Sequence, residues 1–254
     1  MTKRVTLLRL PILLTAVLSV AACGMRPISD SGYQADASHS SYAVSNPLYR
    51  GEISEFDVLG AGGNVSITEE DIQKSFAARR PLAIMRGSPV MVVQSGAIFP
   101  DDPMLKSLAV YYPVVGFSGI PEQAAYDPSK CANPNPPYAM VLRLLAAKGG
   151  YEKIVVYWGV IETAQEDLAT KAVSWIPIIG NGIADQNQRM RIRLKVAVID
   201  VRSGQWETFA PEPVESAATS ADRTRVSSDQ GQVAALKDAG YKAAADEIAR
   251  RYGS

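Results

Sequence analysis

The sequence predicts an α/β or α+β fold, with a single mixed sheet, helices packed on it and a disordered N-terminal tether. Three observations lead to this prediction. Apolar runs of strand type alternate along the chain with segments of helical spacing. The 47% of hydrophobic residues is enough to build a core of domain size. Residues 24–50, by contrast, are rich in small and polar residues and have no periodicity.

The first helix of the domain is predicted from its two ends. Thr68 can cap it, and Asp71 stands three residues later, where its side chain can reach back. Ile67 and Ile72 occupy the two positions of a hydrophobic staple. Pro81 cannot continue a helix, so we expect the helix to end just before it.

The middle of the chain predicts short elements and one long loop. Residues 82–85 and 90–94 are apolar runs of strand length, and a short helix is expected over 104–109. Residues 121–137 contain five prolines and are predicted to form a loop. Helical spacing returns at Tyr138, Val141, Leu142 and Leu145, and two glycines after residue 148 end that helix.

The second half predicts two central strands and a final helix. Residues 154–161 are nearly all apolar, as in a strand covered on both faces. Residues 189–201 alternate, and 202–204 turn the chain into a hairpin with 205–209. Residues 215–230 are predicted as a mobile surface loop. A helix over 231–252 would bury one stripe formed by Val233, Leu236, Gly240, Ala244 and Ile248.

The start of the chain resembles the signal of bacterial lipoprotein precursors. Lys3 and Arg4 precede an apolar stretch that is too short for a comfortable transmembrane helix, and Val20-Ala21-Ala22 leads into Cys23. In that family the cysteine is lipidated and the chain is cut just before it. The resemblance therefore implies a signal peptide (1–22), a lipidated flexible tether (23–50) and a single periplasmic domain (51–254). An ordinary signal peptide with an incidental cysteine is the alternative.

The same resemblance bears on location. Gly24 follows the cysteine, where lipoproteins held at the inner membrane of enteric-type bacteria carry Asp. The resemblance thus implies the periplasmic side of the outer membrane, with more than one acyl chain making the attachment stable. A flexible tether of this length would span about 25–30 Å.

Composition excludes several classes of function. Without the leader the chain has 23 basic and 26 acidic residues, so it has no general attraction for nucleic acid. Cys131 would be the only free thiol, which excludes an internal disulfide. His39, the only histidine, lies in the tether, which excludes histidine-based triads and histidine-rich zinc sites. We predict no catalytic residue, metal or cofactor; a carboxylate-only envelope hydrolase is a weak alternative.

A second resemblance involves the two central strands. The segments 153–162 and 191–206, with Asp200, Ser203 and Gly204 in the turn, are similar to envelope lipoproteins related to the curli-secretion channel subunit. The resemblance implies an α/β periplasmic domain on a lipid anchor. It leaves open the alternative of a subunit in an oligomeric secretion channel.

Two apolar segments and one basic strand are the candidate contact surfaces. The apolar segments are predicted loops that meet a partner or the membrane, or else fold over a sheet edge and complete the core. Their residues are Tyr112, Pro113, Val114, Val115 and Phe117 in the first, and Trp175, Ile176, Pro177, Ile178 and Ile179 in the second.

The basic strand carries Arg189, Arg191, Arg193 and Lys195 on one face, spaced about 7 Å apart. These side chains could bind phosphates of lipopolysaccharide or carboxylates of cell-wall peptides. The alternative is a solvated face paired with Glu162, Glu166, Asp167 or Glu207. Together these features predict a non-catalytic, lipid-anchored binding or assembly protein. Its partners would be the membrane, through Cys23, and an unidentified envelope protein or cell-wall component, with a homo-oligomer as an open alternative.

Overall fold

A computed structural model describes residues 27–30, 46, 48–61, 67–121, 137–166, 173–177, 187–219 and 225–254. The predicted signal peptide, Cys23 and most of the 121–137 segment lie outside these residues. The elements, in chain order, are α1 (Glu55–Leu59), α2 (Glu69–Ala78), β1 (Val90–Gln94), α3 (Asp102–Ala109), β2 (Val114–Phe117), α4 (Tyr138–Lys148), β3 (Lys153–Glu166), β4 (Val173–Pro177), β5 (Asn187–Asp200), β6 (Trp206–Phe209), β7 (Val214–Thr219) and α5 (Arg225–Tyr252).

Two long antiparallel strands, β3 and β5, form the centre of a mixed seven-stranded sheet. Short strands flank each end of this pair. Beside the start of β3 the strand order is β2-β1-β3-β5-β6, with β1 and β2 parallel to β3. Beside its far end, β4 pairs with β3 and β7 pairs with β5, both antiparallel. The single mixed sheet with helices packed on it is confirmed.

The helices bury both faces of the sheet to different extents. On one face, α3 and α5 enclose a large core that includes Met104, Tyr157 and Tyr241. On the other face, α1 and α4 enclose a smaller core around Val58 and Leu142. The smaller core involves only the part of β3 that lies beside β1. The far end of this second face carries the arginines of β5.

Several predicted elements are confirmed with their local chemistry. The Asp71 backbone NH donates to Thr68 Oγ1 at 3.2 Å, and the Thr68 NH donates to Asp71 Oδ2 at 3.0 Å, so α2 begins with a capping box. The short strand at 90–94 and the hairpin at 202–204 also form as expected. On β5, the alternating apolar side chains are all buried: Met190, Ile192, Leu194, Val196 and Val198.

The predicted strand at 82–85 is wrong. Only Ile84 makes a bridge, with Gly253, through hydrogen bonds from Ile84 N to Tyr252 O (2.7 Å) and from Ser254 N to Ile84 O (3.3 Å). The run is too short to form a ladder between Pro81 and the turn at Gly87, and the C-terminus offers only one pairing position.

The predicted surface loop at 215–230 is also wrong. Its first part belongs to β7, and α5 already begins at Arg225, six residues earlier than expected. In this stretch both elements consist of small and polar residues and have no wide apolar stripe. The sequence therefore shows no periodicity from which β7 or the start of α5 could be predicted. β7 is fixed by its pairing with β5, and Gln232 Nε2 of α5 donates to Ser216 O at 3.0 Å. Residues 220–224 lie outside the described residues.

The flexible tether is wrong for the residues that the structure describes within it. Pro27 pairs antiparallel with Val160, at the edge of β3 between β1 and β4. Ile28 is 0% exposed and belongs to the large core. Asn46 is also buried, and its side chain donates to Ser29 O at 3.0 Å. The segment is polar in composition, yet Pro27 and Ile28 are attached to the domain, and Asn46 is attached to Ser29.

Candidate functional site

The centre of the predicted basic face is occupied by Glu162 of β3. This carboxylate is 5% exposed and accepts hydrogen bonds from Arg191 Nε at 2.5 Å and Arg193 Nη1 at 3.3 Å. The indole of Trp175 on β4 covers Arg191, whose guanidinium carbon lies 4.2 Å from the ring centroid. The buried negative charge is therefore compensated by two guanidinium groups, one of which is also covered by an aromatic ring.

The outer two bases of this face are paired as well. Arg189 contacts Glu215 of β7 at 3.1 Å, and Lys195 contacts Glu55 of α1 at 2.5 Å. Neither acid is among the partners that the sequence indicates, because both reach β5 only through tertiary folding. Three carboxylates therefore pair with the four bases, which do not form an uncompensated row for an anionic ligand.

The first apolar segment is an edge strand instead of a loop. Residues 114–117 form β2, the outermost strand beside β1. The Tyr112 side chain, just before it, is buried in the large core. Pro113 and Val115 are exposed, while Val114 and Phe117 are half-buried. The segment therefore extends the sheet by one strand and is not the loop that the sequence predicts.

The second apolar segment is also an edge strand, within the described residues. β4 runs antiparallel to the end of β3, with Trp175 opposite Ala164. Val173 and Ile176 are both exposed large hydrophobic residues. Pro177 ends the described strand, and Ile178 and Ile179 lie outside the described residues. This segment leaves more apolar side chain in solvent than β2 does.

A buried polar network at the carboxyl end of β1 has no clear signal in the sequence. Gln94 is fully buried; its Oε1 accepts from Tyr157 Oη at 2.5 Å and from Asp101 N at 2.7 Å. Its Nε2 donates to Ser29 Oγ at 3.0 Å. Tyr241 Oη donates to Asp101 Oδ2 at 2.5 Å. Burial raises the pKa of both tyrosines well above the usual value, so they stay protonated and act as donors.

The position of this network at the carboxyl end of β1 indicates its structural role. Open α/β sheets commonly hold ligands in the crevice at the carboxyl ends of parallel strands. In this chain that position is filled by Ile28 and Ser29, whose side chains pack into the core and bond to β1. The network therefore attaches the N-terminal segment to the domain.

An open apolar groove of about 650 Å³ lies between α2 and β6. We call it the α2 groove. It is lined by Gly60, Ala61, Ile67, Asp71, Ile72, Ser75, Phe76, Arg79 and Trp206.

The apolar side chains of the α2 groove are uncovered. Phe76 is 69% exposed and Trp206 is 45% exposed, and no residue of α2 is buried. Only the end of the helix is fastened: Arg80 N donates to Gln205 Oε1 at 3.0 Å, and Gln205 Nε2 donates to Ala78 O at 2.6 Å. The sequence marks the apolar positions of α2 but cannot show that no element in the described part of the chain covers them.

No group of three His, Cys, Asp or Glu in the described part of the chain is placed to hold a metal ion. None of the helices described combines the length and apolar character needed to cross a membrane.

Together, these observations define an α/β domain built on a single mixed seven-stranded sheet. Residues 54–251 match the model of the YafT bacterial lipoprotein family, and the chain belongs to this family. Membership confirms a lipoprotein of the bacterial envelope. No curated protein sequence matches the chain. None of these comparisons shows the similarity to the curli-secretion channel.

Two solved structures that the chain matches have low sequence identity to it and low TM-scores. The hypothetical protein CT253 from Chlamydia trachomatis is 12% identical, with a TM-score of 0.32 over 65% of this chain and 97% of that one. Lipoprotein GNA1162 from Neisseria meningitidis is 14% identical, with a TM-score of 0.26 over 58% of this chain and 96% of that one. At these scores the similarities carry no argument about function.

Proposed function

We propose that this protein is a non-catalytic, lipid-anchored binding protein on the periplasmic side of the outer membrane. Its binding surface is the α2 groove, and its ligand is an apolar helical segment of another envelope protein. The observation that carries the proposal is the uncovered apolar side of α2. Exposed apolar surface of this kind marks contact sites in soluble domains.

The dimensions and shape of the α2 groove suit a peptide segment. A volume of about 650 Å³ lies in the range of small-molecule and peptide sites, roughly 300–1,000 Å³. Ile72 and Phe76 stand one helical turn apart, a spacing that matches the anchors of an amphipathic helix lying in a groove. Trp206 on the opposite wall is of the residue type that dominates binding energy at interfaces.

The electrostatics of the α2 groove also favour an amphipathic ligand. Asp71 lies near the start of α2 and Arg79 near its end, so the rim carries one charge of each sign. Hydrogen bonds from Thr68 hold the pKa of Asp71 below its usual value, so this carboxylate is ionised at neutral pH. A bound helix could therefore place apolar residues inwards and polar residues at both ends.

Cross-linking in living cells tests this proposal. A photoreactive phenylalanine analogue would replace Phe76 in one strain and Phe99, which is similarly exposed but outside the groove, in another. We expect a discrete adduct with one envelope protein from position 76 and none from position 99. The purified partner should then lose binding to Phe76→Ser and Trp206→Ala, and retain binding to Phe99→Ser. Equal adducts from both positions, or binding that is unaffected by the groove variants, would contradict the proposal.

The anchor is a separate part of the proposal. Acylation of Cys23 with more than one chain would hold the protein stably at the membrane. Cys23→Ala should release it from the membrane fraction, and intact-mass measurement of the native protein should show acyl chains on the first residue. A native protein with a bare thiol or an unprocessed start would exclude this attachment.

A channel subunit is the second candidate function. One observation favours it: β3 and β5 extend past the core enclosed by α1 and α4, and β4 returns along this extension. A channel would form ring oligomers in detergent and release calcein from liposomes. Intact liposomes would exclude it. Turnover on peptidoglycan would instead support the weak alternative of an envelope hydrolase.

A further inference from the structure

We infer that the end of the sheet that carries β4 contacts the lipid bilayer directly. We call this region the β4 end; it comprises β4, residues 160–166 of β3 and residues 187–193 of β5. The inference rests on the acylation of Cys23 in the proposed function, and it adds how the domain is oriented on the membrane.

The first step is that the chain is fastened to the domain soon after the anchor. The backbone NH of Ile28 donates to Gly159 O at 2.9 Å, and Ser29 Oγ donates to Ser95 O at 2.5 Å. Lys237 Nζ of α5 donates to Ile28 O at 2.9 Å. The segment therefore bonds to β3, to the end of β1 and to α5.

The second step is that the domain has a place shaped for this segment. Gly159 lies in the interior of β3, where a glycine usually marks a close approach of another chain segment. A Cβ at this position would lie 2.6 Å from Leu194 Cδ2 and 3.0 Å from Ile28 Cγ2. The missing side chain leaves the space that Ile28 fills, so the docked segment is part of the core.

The third step is the reach of the anchor. Cys23 precedes Pro27 by four residues, which span at most about 14 Å even when fully extended. Pro27 pairs with Val160, and the part of β3 that pairs with β4 begins at Glu162, opposite Pro177, only about 7 Å further along β3. Lys153, at the other end of β3, is about 23 Å from Val160 in the opposite direction. The anchor can therefore bring the β4 end to the bilayer surface but leaves the Lys153 end outside its reach.

The fourth step is the chemistry of the β4 end. Val173 and Ile176 are exposed on β4; Val173 shares a face of the sheet with Trp175, and Ile176 lies on the other face. Arg191 and Arg189 lie 4.2 Å and 5.7 Å from the Trp175 ring centroid. Apolar residues beside Trp and Arg suit the headgroup layer, where rings and long stems enter the acyl boundary while charges stay hydrated.

The charges of the β4 end favour a neutral lipid surface. Its three arginines are paired with Glu162 and Glu215, as described above. Because these charges are largely compensated, the contact depends mainly on apolar burial and not on attraction to anionic lipid. Phosphatidylcholine vesicles are therefore a sufficient probe.

Depth-dependent fluorescence quenching tests the inference on the full-length acylated protein. Cys131→Ser removes the other thiol, and a single new cysteine carries an environment-sensitive dye at Ile176 or, as the matched control, at Val110. Val110 is exposed at the end of α3, beside the start of β1 and far from β4. In phosphatidylcholine vesicles with spin-labelled acyl chains, we expect several-fold stronger quenching at Ile176→Cys than at Val110→Cys.

Two further measurements separate the possible failures. Intact mass shows whether Cys23 is acylated; without acyl chains, both the proposed attachment and this inference fail. With acyl chains present, equal or absent quenching at the two positions overturns the inference alone. Ile28→Ser weakens the docked segment and should reduce the quenching at Ile176→Cys while the protein stays membrane-bound. Circular dichroism of each variant confirms that the domain is folded.

Discussion

Glu162 holds two arginine side chains of the neighbouring strand although it is almost inaccessible to solvent. The two-residue period of β5 predicts that the arginines share a face, and Glu162 is one of the acids that the sequence predicts as their partners. The register that places Glu162 opposite Arg191 is a property of the paired strands, and it also brings Trp175 over the same site. The pairs with Glu55 and Glu215 could not be predicted, since no local pattern relates these acids to β5.

Glu162→Gln should destabilise the domain by about 3 kcal/mol, because it leaves two guanidinium groups without their buried counter-charge. Urea denaturation followed by tryptophan fluorescence measures the change. Glu70→Gln is the matched control, because Glu70 pairs with Lys74 on the exposed surface of α2 and should cost less than about 1 kcal/mol. Equal effects of the two substitutions would contradict the role given to Glu162.

Asp200 closes the turn before β6, and its hydrogen bonds predict a measurable effect on stability. Its Oδ1 accepts from Ser203 N and Ser203 Oγ, both at 2.7 Å, and its Oδ2 accepts from Lys153 Nζ at 2.8 Å. Burial acts to raise the pKa of Asp200, but the hydrogen bonds from Lys153 and Ser203 outweigh it, so the pKa lies below the usual value. The sequence motif at Asp200, Ser203 and Gly204 anticipates this turn, in which Gly204 adopts a φ of 74°.

The lowered pKa of Asp200 predicts a contribution to stability that depends on pH. The contribution is present above the pKa of an unfolded aspartate, about 3.9, and is lost as the pH falls through the lower folded pKa. Asp200→Asn should therefore cost about 1–3 kcal/mol at neutral pH and make the unfolding free energy less steep in acid. Thermal melts between pH 2 and pH 7 measure this, and parallel curves for variant and wild type would exclude it.

Among the described helices, α2 depends most on interactions within the helix itself for its stability. It has a complete capping box, yet it buries no residue and is fastened mainly through Gln205. The ends of α2 could be predicted because the capping signals lie within the helix itself. β7 could not be predicted, because it forms only by pairing with the end of β5 that extends past the smaller core. The bridge at Ile84 could not be predicted either, because its partner is Gly253 at the other end of the domain sequence.

Thr68→Ala should destabilise α2 by about 1 kcal/mol through loss of the cap. Because the helix contributes little to either core, we expect faster hydrogen exchange of the α2 amides without a shift in the global unfolding midpoint. Thr163→Ala, on the long central strand, serves as the comparison and should leave α2 exchange unchanged. A fall in global stability equal to the local effect would show that α2 unfolds together with the sheet.

At the scale of the whole molecule, Ile28 of the N-terminal segment packs into the large core. Composition predicts a tether for this segment, because its polar residues give no periodic signal and its contacts all lie more than 60 residues away or in the N-terminal region itself. The sheet and the final helix stripe could be predicted, since their apolar patterns are long. The docking of Ile28 depends on the space at Gly159, which only the assembled strands create.

Ile28→Ala should lower the global unfolding free energy by about 2–4 kcal/mol, because it leaves a cavity in the large core. A calorimetric melt of the acylated protein measures the effect. Leu48→Ala is the matched control, since Leu48 lies in the same N-terminal region but is half exposed. A negligible effect of Ile28→Ala would mean that the domain folds independently of its N-terminal segment.

The short distance from Cys23 to the docked Pro27 limits where this protein can meet other molecules. With Cys23 acylated as proposed, the four residues from Cys23 to Pro27 would span at most about 14 Å, in place of the 25–30 Å of a free tether, and would keep the domain close to the membrane. Trp206 of the α2 groove pairs with Ile199, which pairs with Ile154, so the groove lies toward the Lys153 end of the sheet. It would then be held about 20 Å along β3 from Val160, on the side away from the β4 end. Any ligand would have to reach that level, so the ligands best suited to it are membrane-bound proteins whose helical segments extend away from the lipid surface.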